Sequence, residues 1–382
     1  MHDAERLLLV GQVDALFFRL ERTFAAGRLD VCFSITYREF GRVARSLVPP
    51  NNPIETRIMQ STNDSVSRRQ FNQAAIATTS AAVIGVASSH AVSCGAATPT
   101  TTLVRTNKVK YCLNTSTIHG EVVPIVEQVA IAQKAGYDAI EFWLRDINKY
   151  TLEGGTLPDL KKRIVDAGLT VESSIAFANW IVDDEEVRKK GLEQARKDMD
   201  TVTAIGGIRI AAPPAGATNS GPLNLDHAGE RYHALLEVGK TAGCIAQLEV
   251  WGFSKNLSRL SEVLYVAAAA QHPDACVLPD IYHLYKGGSS FNDLNLLSGR
   301  RIHVFHMNDY PDIAKDKIND ADRVYPGDGI APISKILSTV FDSGFDGVLS
   351  IELFNRTYWQ QDPNMVAAKG LASMKLAVSQ VK

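Results

Sequence analysis

The chain has 382 residues, of which 45% are hydrophobic and 21% are charged, and its formal net charge is −2 at pH 7. This near-neutral balance lacks the electrostatic footprint of proteins that bind nucleic acid or anionic membranes, which leaves small neutral or weakly charged ligands as candidates. The five cysteines contain no C-x-x-C pair, so neither a disulfide scaffold nor a thiolate zinc site is indicated. We expect Cys112, Cys244 and Cys276 to be small core residues.

Residues 1–58 differ from the rest of the chain, because they contain eight arginines and no lysine, whereas every lysine lies at Lys108 or later. The segment has a moderately amphipathic run from Ala4 to Ala26 and, near residue 50, a proline- and asparagine-rich stretch typical of a linker. Two interpretations stay open. The segment is either a small helical extension or sequence ahead of a misassigned start, with Met59 as the true N-terminus.

Residues 59–97 contain a twin arginine, Arg68-Arg69, followed by a short, weakly apolar run of alanine, threonine and serine and then by small residues. This order resembles the Tat export signal, and the apolar run is too short to span a bilayer. The resemblance implies cleavage near Ala96 or Ala97, a periplasmic location and no stable membrane span after processing. A lipoprotein anchored through Cys94 is the alternative, although Ala91 stands where such signals usually have leucine.

From about residue 98 onward, eight short apolar segments alternate with eight helical patterns. The predicted strands are Lys110–Asn114, Asp138–Trp143, Thr170–Phe177, Gly207–Ala211, Ile245–Val250, Ala275–Asp280, Ile302–Met307 and Gly347–Leu353. The predicted helices are Val122–Ala135, Leu157–Ala167, Asp184–Ile205, Asp226–Ala242, Ser258–Ala270, a shorter one at Phe291–Leu297, Ile333–Ser343 and Pro363–Val381. The alternation predicts an α/β fold, a single (β/α)8 TIM barrel over residues 98–382.

A doubly wound open sheet is the alternative fold. It ordinarily places a glycine-rich phosphate loop after its first strand, and residues 114–120 do not form one.

Four ligand-type side chains lie at the ends of consecutive predicted strands, namely Glu249, Asp280, His306 and Glu352. Taken alone, such a residue is more often an exposed or salt-bridged carboxylate, a turn cap or a satisfied histidine than a metal ligand. Together they are unusual, because apolar strands otherwise have little reason to carry charge at corresponding positions. The carboxyl ends of parallel barrel strands meet on one face, so the four predict a site for Mn²⁺, with Mg²⁺ or Co²⁺ as alternatives.

The motifs around these residues resemble the xylose isomerase-like barrel superfamily of sugar phosphate isomerases and epimerases. They are Leu248-Glu249, Asp280-Ile281-Tyr282-His283, the run from His303 to Asp309, Tyr325-Pro326-Gly327-Asp328-Gly329 and Ser350-Ile351-Glu352. The resemblance spans roughly residues 108 to 380. It implies that Glu249, Asp280, His306 and Glu352 bind the metal, and that Glu249 and Glu352 also act as the acid/base pair.

The resemblance further implies that His283 and Arg323 contact substrate oxygens. Trp143, Trp251 and Phe177 are candidates for an apolar wall against which a sugar stacks, and Glu141 is a weaker candidate for a polar substrate contact. The chain departs from ketose 3-epimerases after the fifth strand, where Phe253-Ser254-Lys255 replaces a further glutamate. The charged segment Tyr310–Asp322 is either a lid or a solvated loop.

These residues predict an isomerase or epimerase acting on a sugar or keto-sugar, because a divalent cation stabilises the enediolate formed when a proton is removed next to a carbonyl. A metal-dependent keto-sugar or inosose dehydratase and a non-catalytic sugar-binding barrel are the alternatives. The expected partner is a small-molecule sugar, with no nucleic acid, and a homo-oligomer stays open.

Overall fold

The computed structural model describes residues 7–13, 16–25, 28–37 and 109–381. The chain divides into two compact units, Met1–Pro99 and Thr100–Lys382. The predicted export signal at residues 59–97, Cys94 and the linker near residue 50 lie outside the described residues. Export and a start at Met59 therefore stay predictions.

The N-terminal unit contains a three-stranded antiparallel sheet formed by β1 (Leu7–Val13), β2 (Leu16–Ala25) and β3 (Arg28–Tyr37). The expectation of a helical extension is therefore wrong for this segment. The sequence of β3 explains the outcome, because every second residue from Val31 to Tyr37 is β-branched or aromatic. A period of two in such residues is typical of a strand rather than of a helix.

The second unit alternates eight strands with helices, as the sequence predicts. The strands are β4 (Lys110–Asn114), β5 (Ala139–Trp143), β6 (Thr170–Ile175), β7 (Arg209–Ala212), β8 (Ile245–Glu249), β9 (Val277–Leu278), β10 (Val304–Met307) and β11 (Val348–Ile351). The α-helices are α1 (Ile125–Ala135), α2 (Leu144–Leu152), α3 (Leu157–Asp166), α4 (Glu185–Ala204), α5 (Leu225–Ala242), α6 (Leu260–Ala269), α7 (Ile281–Gly287), α8 (Ile333–Asp342) and α9 (Pro363–Ser379).

The strands pair in parallel, in the order β10, β11, β4, β5, β6 and, in a second ladder, β7, β8, β9. Single parallel bridges, one of them between Asp280 and His306, join the end of β9 to β10, and β6 lies beside β7. The last strand, β11, pairs with the first strand of this unit, β4, with Val348 opposite Lys110. That pairing closes a barrel and is absent from a doubly wound sheet, so the TIM barrel prediction is confirmed.

The helices begin and end where the sequence supplies caps. The Asp184 side chain accepts a hydrogen bond from the Val187 N–H at the start of α4, and Asn224 does the same for the first turn of α5. Gly136 ends α1 with a φ of 87°, a left-handed conformation that glycine adopts without a Cβ clash. Such local signals explain why most predicted boundaries fall within a few residues of the observed ones.

Three details of the barrel differ from the prediction. Helices α2 and α7 were not expected, because α2 follows its strand without an intervening turn and α7 has only seven residues, too few to establish a helical period. The segment Phe291–Leu296 is a 3₁₀ helix rather than an α-helix. The sixth strand pairs only over Val277–Leu278.

The barrel unit buries a continuous apolar core between the strands and the surrounding helices. Cys112, Cys244 and Cys276 are buried free thiols, as expected. Inside the barrel, Gln247 donates a hydrogen bond to Ser173 at 3.0 Å. Among the helices that the structure describes, none combines the length and apolar character needed to span a bilayer.

Candidate active site

The four predicted ligand residues lie together at the carboxyl end of the barrel. Glu249 is the last residue of β8, Asp280 lies two residues after β9, His306 lies in β10, and Glu352 directly follows β11. All four side chains are buried, with exposures of 0 to 3%. Parallel strands deliver their C-terminal residues to one face, which is why residues more than 100 positions apart in sequence meet here.

Three of these residues form a group that could hold a metal ion. Glu249, His306 and Glu352 each offer one ligand atom, and these atoms all lie within 4.8 Å of one another. Among the described residues, neither His306 Nδ1 nor Glu249 Oε2 has a hydrogen-bond partner. Because buried polar atoms are normally paired, the two atoms are available to a ligand that the protein itself does not supply.

Asp280 lies beside this group, but both of its oxygens are hydrogen-bonded. Its Oδ1 accepts from the His283 N–H at 2.7 Å and caps α7, and its Oδ2 accepts from Asn308 at 2.8 Å and from Arg323 at 2.9 Å. The same Oδ2 lies 3.8 Å from His306 Nδ1. Its role as a fourth metal ligand therefore stays a prediction.

Arg323 reaches into the centre of the site, and its side chain is only 1% exposed. Its Nη1 donates to Asp280 and to Glu352 Oε2, both at 2.9 Å, and its Nη2 lies 3.1 Å from His283 Nε2. The guanidinium also packs over the ring of Tyr282, 4.3 Å from its centroid. Arg323 Nε is buried and has no partner within the described part of the chain.

Glu141 occupies a different place from the one expected. It is fully buried in β5 and does not line the cavity described below. Its Oε2 lies 3.1 Å from His306 Nε2 and accepts hydrogen bonds from Asn114 at 2.9 Å and Ser350 at 2.8 Å. The expectation of a direct substrate contact is therefore corrected, since Glu141 lies behind His306 and orients its ring.

The two glutamates that face each other have pKa values displaced in opposite directions. Burial, together with the charge of Glu352, raises the pKa of Glu249 well above its ordinary value. Burial also acts to raise the pKa of Glu352, but the charges of His306 and Arg323 outweigh it and lower the pKa to about 2. Such a separation, the neutral form favoured on one carboxyl and the ionised form on the other, is typical of acid/base pairs.

The electrostatic potential at the centre is negative. Four buried carboxyl groups, on Glu141, Glu249, Asp280 and Glu352, surround His306 and the single guanidinium of Arg323. Burial lowers the pKa of His306, yet Glu352 and Glu141 together raise it well above its ordinary value. The same negative potential that favours the protonated imidazole of His306 also attracts a metal cation.

A cavity of about 230 Å³, partly open to solvent, leads to these residues. Its polar lining consists of Glu249, His283, Asp320, Arg323 and Glu352, and its apolar lining of Trp143, Ile175, Phe177, Trp251, Phe253 and Phe354. The predicted contact residues His283, Arg323, Trp143 and Trp251 all lie on this wall, as does Phe177. Burial, opposed by the charge of Asp280 and aided by that of Arg323, lowers the pKa of His283 to about 3, which favours the neutral imidazole.

Several residues of the site were not predicted from the sequence. Asn114, the last residue of β4, donates to both Glu141 and Glu352, and its position at a strand end was the available signal. Asp320 begins the 3₁₀ helix Asp320–Asp322 and Phe354 lies in a loop, and neither belongs to a distinctive sequence pattern. The segment Tyr310–Asp322, which contains Asp320, is not solvated throughout. Ile318 is 1% exposed and anchors the segment, because its carbonyl accepts a hydrogen bond from Lys286.

The family model for the xylose isomerase-like TIM barrel matches residues 129–377. The chain is 26% identical over 261 residues to an inosose isomerase of Bacillus licheniformis, a match that covers 66% of this chain and 91% of that protein. A fructoselysine 3-epimerase of Escherichia coli O157:H7 is 23% identical over 260 residues, covering 65% and 92% of the two chains. A 3-dehydroshikimate dehydratase of Pseudomonas putida is also 23% identical, over 65% of this chain but only 39% of its own length.

A crystal structure of the IOLI protein with a binding zinc atom superimposes with a TM-score of 0.67 and 21% sequence identity, and covers 72% of this chain and 99% of its own. At that level of identity the likeness shows a shared fold. The family match covers more than half of the chain and includes all four residues at the centre of the site. The chain therefore belongs to the xylose isomerase-like TIM barrel family.

Proposed function

We propose that the protein is a divalent-metal-dependent isomerase or epimerase that acts on a sugar or keto-sugar by proton transfer through an enediolate. The observation that carries this proposal is the buried pair Glu249 and Glu352, whose pKa values are displaced in opposite directions. The activities named for the relatives, an isomerase, an epimerase and a dehydratase, support chemistry that begins by removing a proton next to a carbonyl.

The donor set fits a divalent cation. Glu249, His306 and Glu352 would hold it, with Asp280 as the predicted fourth ligand, and the unpartnered atoms His306 Nδ1 and Glu249 Oε2 support this assignment. Carboxylates with one imidazole suit Mn²⁺, which we propose as the ion, with Mg²⁺, Co²⁺ and the zinc of the IOLI structure as alternatives. When bound, a divalent cation supplies Lewis-acid polarisation of the substrate oxygens.

Side chains of the protein would transfer the protons and contact the substrate oxygens. Glu352, held by Arg323, would take the proton from the carbon next to the carbonyl, and Glu249 would return one from the other side. Return to the same carbon gives epimerisation, and return to its neighbour gives isomerisation. Arg323 Nε, which has no partner among the described residues, donates to a substrate oxygen, and the neutral His283 contacts another.

The test is exchange of deuterium from D₂O into a panel of ketoses, keto-glycosides and inososes, followed by mass spectrometry. With Mn²⁺ present we expect exchange at the carbon next to the carbonyl of at least one compound, loss of exchange after complete chelation and recovery when Mn²⁺ is restored. Exchange that survives complete chelation would contradict the metal dependence.

The acid/base role has its own control. We expect Glu352→Gln to lower the exchange rate by roughly 10²–10⁴-fold, whereas Glu193→Gln on the exposed face of α4 should leave it unchanged. Normal exchange by Glu352→Gln would contradict the role. Sugar binding by the wild-type protein without any exchange across the panel would instead support the non-catalytic alternative.

A dehydratase is the second candidate function, because the Pseudomonas putida relative carries that name. Proton removal would be the same, but a hydroxyl would leave from the neighbouring carbon. A product that lacks the elements of one water, in place of one that differs from the inosose or keto-glycoside only by exchanged deuterium, would select this alternative.

We also propose that residues 59–97 direct export by the Tat route to the periplasm, on the basis of Arg68-Arg69 and the short apolar run that follows. The test is the double substitution of both arginines by lysine, followed by fractionation of the expressing cells. Retention of the variant inside the cell is the expected result, and unchanged export would contradict the proposal.

A further inference from the structure

The aromatic side chains of the cavity form one continuous surface. The ring centroids of Phe354 and Trp143 lie 5.8 Å apart, those of Trp143 and Phe177 5.4 Å, those of Phe177 and Trp251 5.8 Å, and those of Trp251 and Phe253 4.9 Å. These five residues are called the aromatic belt below. All of them line the same cavity as Glu249 and Glu352.

The belt lies toward the mouth of the cavity and the carboxylates lie at its bottom. Phe177 and Phe253 are 46% and 41% exposed, whereas Glu249 and Glu352 are each 3% exposed. Exposed large apolar side chains that adjoin one another are unfavourable in water, and contiguous groups of them commonly mark binding surfaces. The cavity therefore presents polar groups to a ligand at its bottom and apolar groups at its mouth.

The belt offers the outer hydroxyls of a bare sugar a single donor. The indole N–H of Trp251 is the donor that remains, because that of Trp143 already donates to Asn114 at 3.0 Å and the phenylalanines have no hydrogen-bonding groups. A hydroxyl buried against them would lose water without gaining a partner, which is unfavourable. A flat apolar group makes favourable contacts with the same rings.

A phosphate group is equally unsuited to this cavity. Of the described residues that line it, Arg323 is the one cationic side chain, and its guanidinium is engaged by Asp280, Glu352 and Asp320. A phosphate dianion placed away from the metal ligands would therefore find no uncommitted cationic side chain in the lining to bind it.

We propose that the site takes a two-part substrate, an unphosphorylated sugar or keto-sugar joined to a flat apolar or aromatic group. The sugar ring lies against Glu249 and Glu352, and the apolar group lies on the aromatic belt. The assignment of the sugar half rests on the proposed function, whereas the assignment of the apolar half rests on the belt alone.

The experiment measures binding without turnover, by calorimetric titration of the full chain with Mn²⁺. The probes are the phenyl and methyl β-D-glucopyranosides and the corresponding β-D-galactopyranosides, so that the stereochemistry of one sugar does not decide the result. We expect the phenyl glycoside of at least one sugar to bind roughly tenfold or more tightly than its methyl counterpart, because burying a phenyl ring removes a large apolar surface from water.

Two substitutions locate the effect. Phe177→Ala and Phe253→Ala should each reduce the preference for the phenyl over the methyl glycoside by roughly threefold or more. The matched control is Tyr265→Ala, which removes a ring that is 47% exposed on α6 outside the cavity and should not change the preference.

Equal affinities for the phenyl and methyl glycosides, failure of both phenyl glycosides to bind at millimolar concentration, or an unaltered preference in both belt variants would each overturn the proposal. The outcome is separable from that of the proposed function. A preference for the phenyl glycoside without deuterium exchange on any substrate would contradict the enzymatic function and leave the belt as a binding site. Deuterium exchange without a preference for the phenyl glycoside would support the enzymatic function and contradict the role of the belt.

Discussion

Behind His306, a fully buried carboxylate decides which nitrogen of the imidazole faces the candidate metal site. Glu141 Oε2 lies 3.1 Å from His306 Nε2. A carboxylate at that distance keeps a proton on Nε2, so the neutral imidazole, the form that binds a metal, would direct the lone pair of Nδ1 toward Glu249 and Glu352, from which Nδ1 lies 4.0 and 3.3 Å. Glu141 is therefore a positioning residue that acts through His306.

The substitution Glu141→Gln tests this role. An amide is a weaker acceptor than a carboxylate and no longer fixes the tautomer, so we expect the affinity for Mn²⁺ to fall by about 10–100-fold. The measurement is a calorimetric titration with Mn²⁺. The matched control is Glu172→Gln, which changes another buried carboxylate, paired with Lys110 and Arg209, and should leave metal affinity unchanged. An equal loss in both variants would indicate a general structural effect instead.

His283 makes the stability of the metal-free protein depend on pH. Burial lowers the pKa of His283 to about 3 in the folded state, from about 6.5 in an unfolded chain. Between these values the unfolded state binds the proton and the folded state does not. The free energy of unfolding should therefore decrease as the pH falls below 6.5, by at most about 1.4 kcal/mol per pH unit from this group.

The measurement is urea unfolding of the chelated protein at several pH values between 5 and 7.5. The quantity compared between the wild type and the variants is the slope of the free energy of unfolding against pH, because Glu249 and Glu352 also titrate. We expect His283→Gln to flatten the dependence on pH and His227→Gln, at an exposed position on α5, to keep it. A wild-type slope in His283→Gln would contradict the pKa assigned to His283.

At the scale of single residues, the sequence located the centre of the site but not its surroundings. Glu249, Asp280, His306 and Glu352 could be predicted because each follows or ends an apolar strand, and strand ends of a parallel barrel converge. The direction of Glu141, by contrast, depends on how β5 is registered against its neighbours, where the pairing shifts between Ile140 and Glu141. A single sequence carries no signal for such a shift.

At the scale of elements, the turn after β10 is organised around one carboxylate. Asp309 is fully buried and accepts hydrogen bonds from the N–H groups of Tyr310, Gly327, Gly329 and Ala331, at 2.8 to 3.1 Å. A Cβ on Gly329 would lie 2.4 Å from the Asp309 carboxylate, so glycine is required for this approach. The motif from Tyr325 to Gly329 thus has a structural role.

The same turn holds Arg323 in place. Asp309 exchanges two backbone hydrogen bonds with Val324, both at 2.9 Å, which fixes the residue next to Arg323. The carbonyl of Arg323 also accepts from Asn355 at 3.0 Å. A change at Asp309 should therefore alter both the stability of the barrel and the position of the guanidinium.

We expect Asp309→Asn to lower the free energy of unfolding by about 2–4 kcal/mol, because the amide nitrogen would face backbone donors that the carboxylate now satisfies. The control is Asp328→Asn in the same turn, where a half-exposed carboxylate is paired with Lys369 and the loss should be below about 1 kcal/mol. The measurement is urea unfolding at pH 7. Equal losses in the two variants would contradict the role assigned to Asp309.

Elements with local signals were predictable, and elements without them were not. Gly136 and Asn224 mark helix ends through backbone conformation and capping, which act within a few residues. Helix α7 was not predicted because its seven residues are too few to show a helical period, although a turn cap was one interpretation of Asp280. In the structure one carboxylate does both, since it caps α7 and lies 3.8 Å from His306 Nδ1.

At the scale of the whole molecule, the closed barrel depends on its first strand. β4 pairs with β5 on one side and with β11 on the other, and β4 lies at residues 110–114, after the end of the N-terminal unit at Pro99. The eightfold alternation was predictable because each strand and helix pair repeats a local pattern. The antiparallel sheet of residues 7–37 lies outside that repeat, and its local signal is the period-two pattern of β3.

Residues 100–382 should suffice to form the barrel. A chain of residues 100–382 contains the whole second unit and all of the family match at 129–377. It should fold cooperatively and retain the deuterium exchange activity of the full chain within about twofold. A chain of residues 115–382 lacks β4, so it would expose the edges of β5 and β11, and unpaired edges of this kind promote aggregation. We expect it to be insoluble or to lack a cooperative thermal transition by circular dichroism. An unfolded 100–382 chain would show that the barrel needs residues before position 100. A folded 115–382 chain would show that the barrel does not need β4.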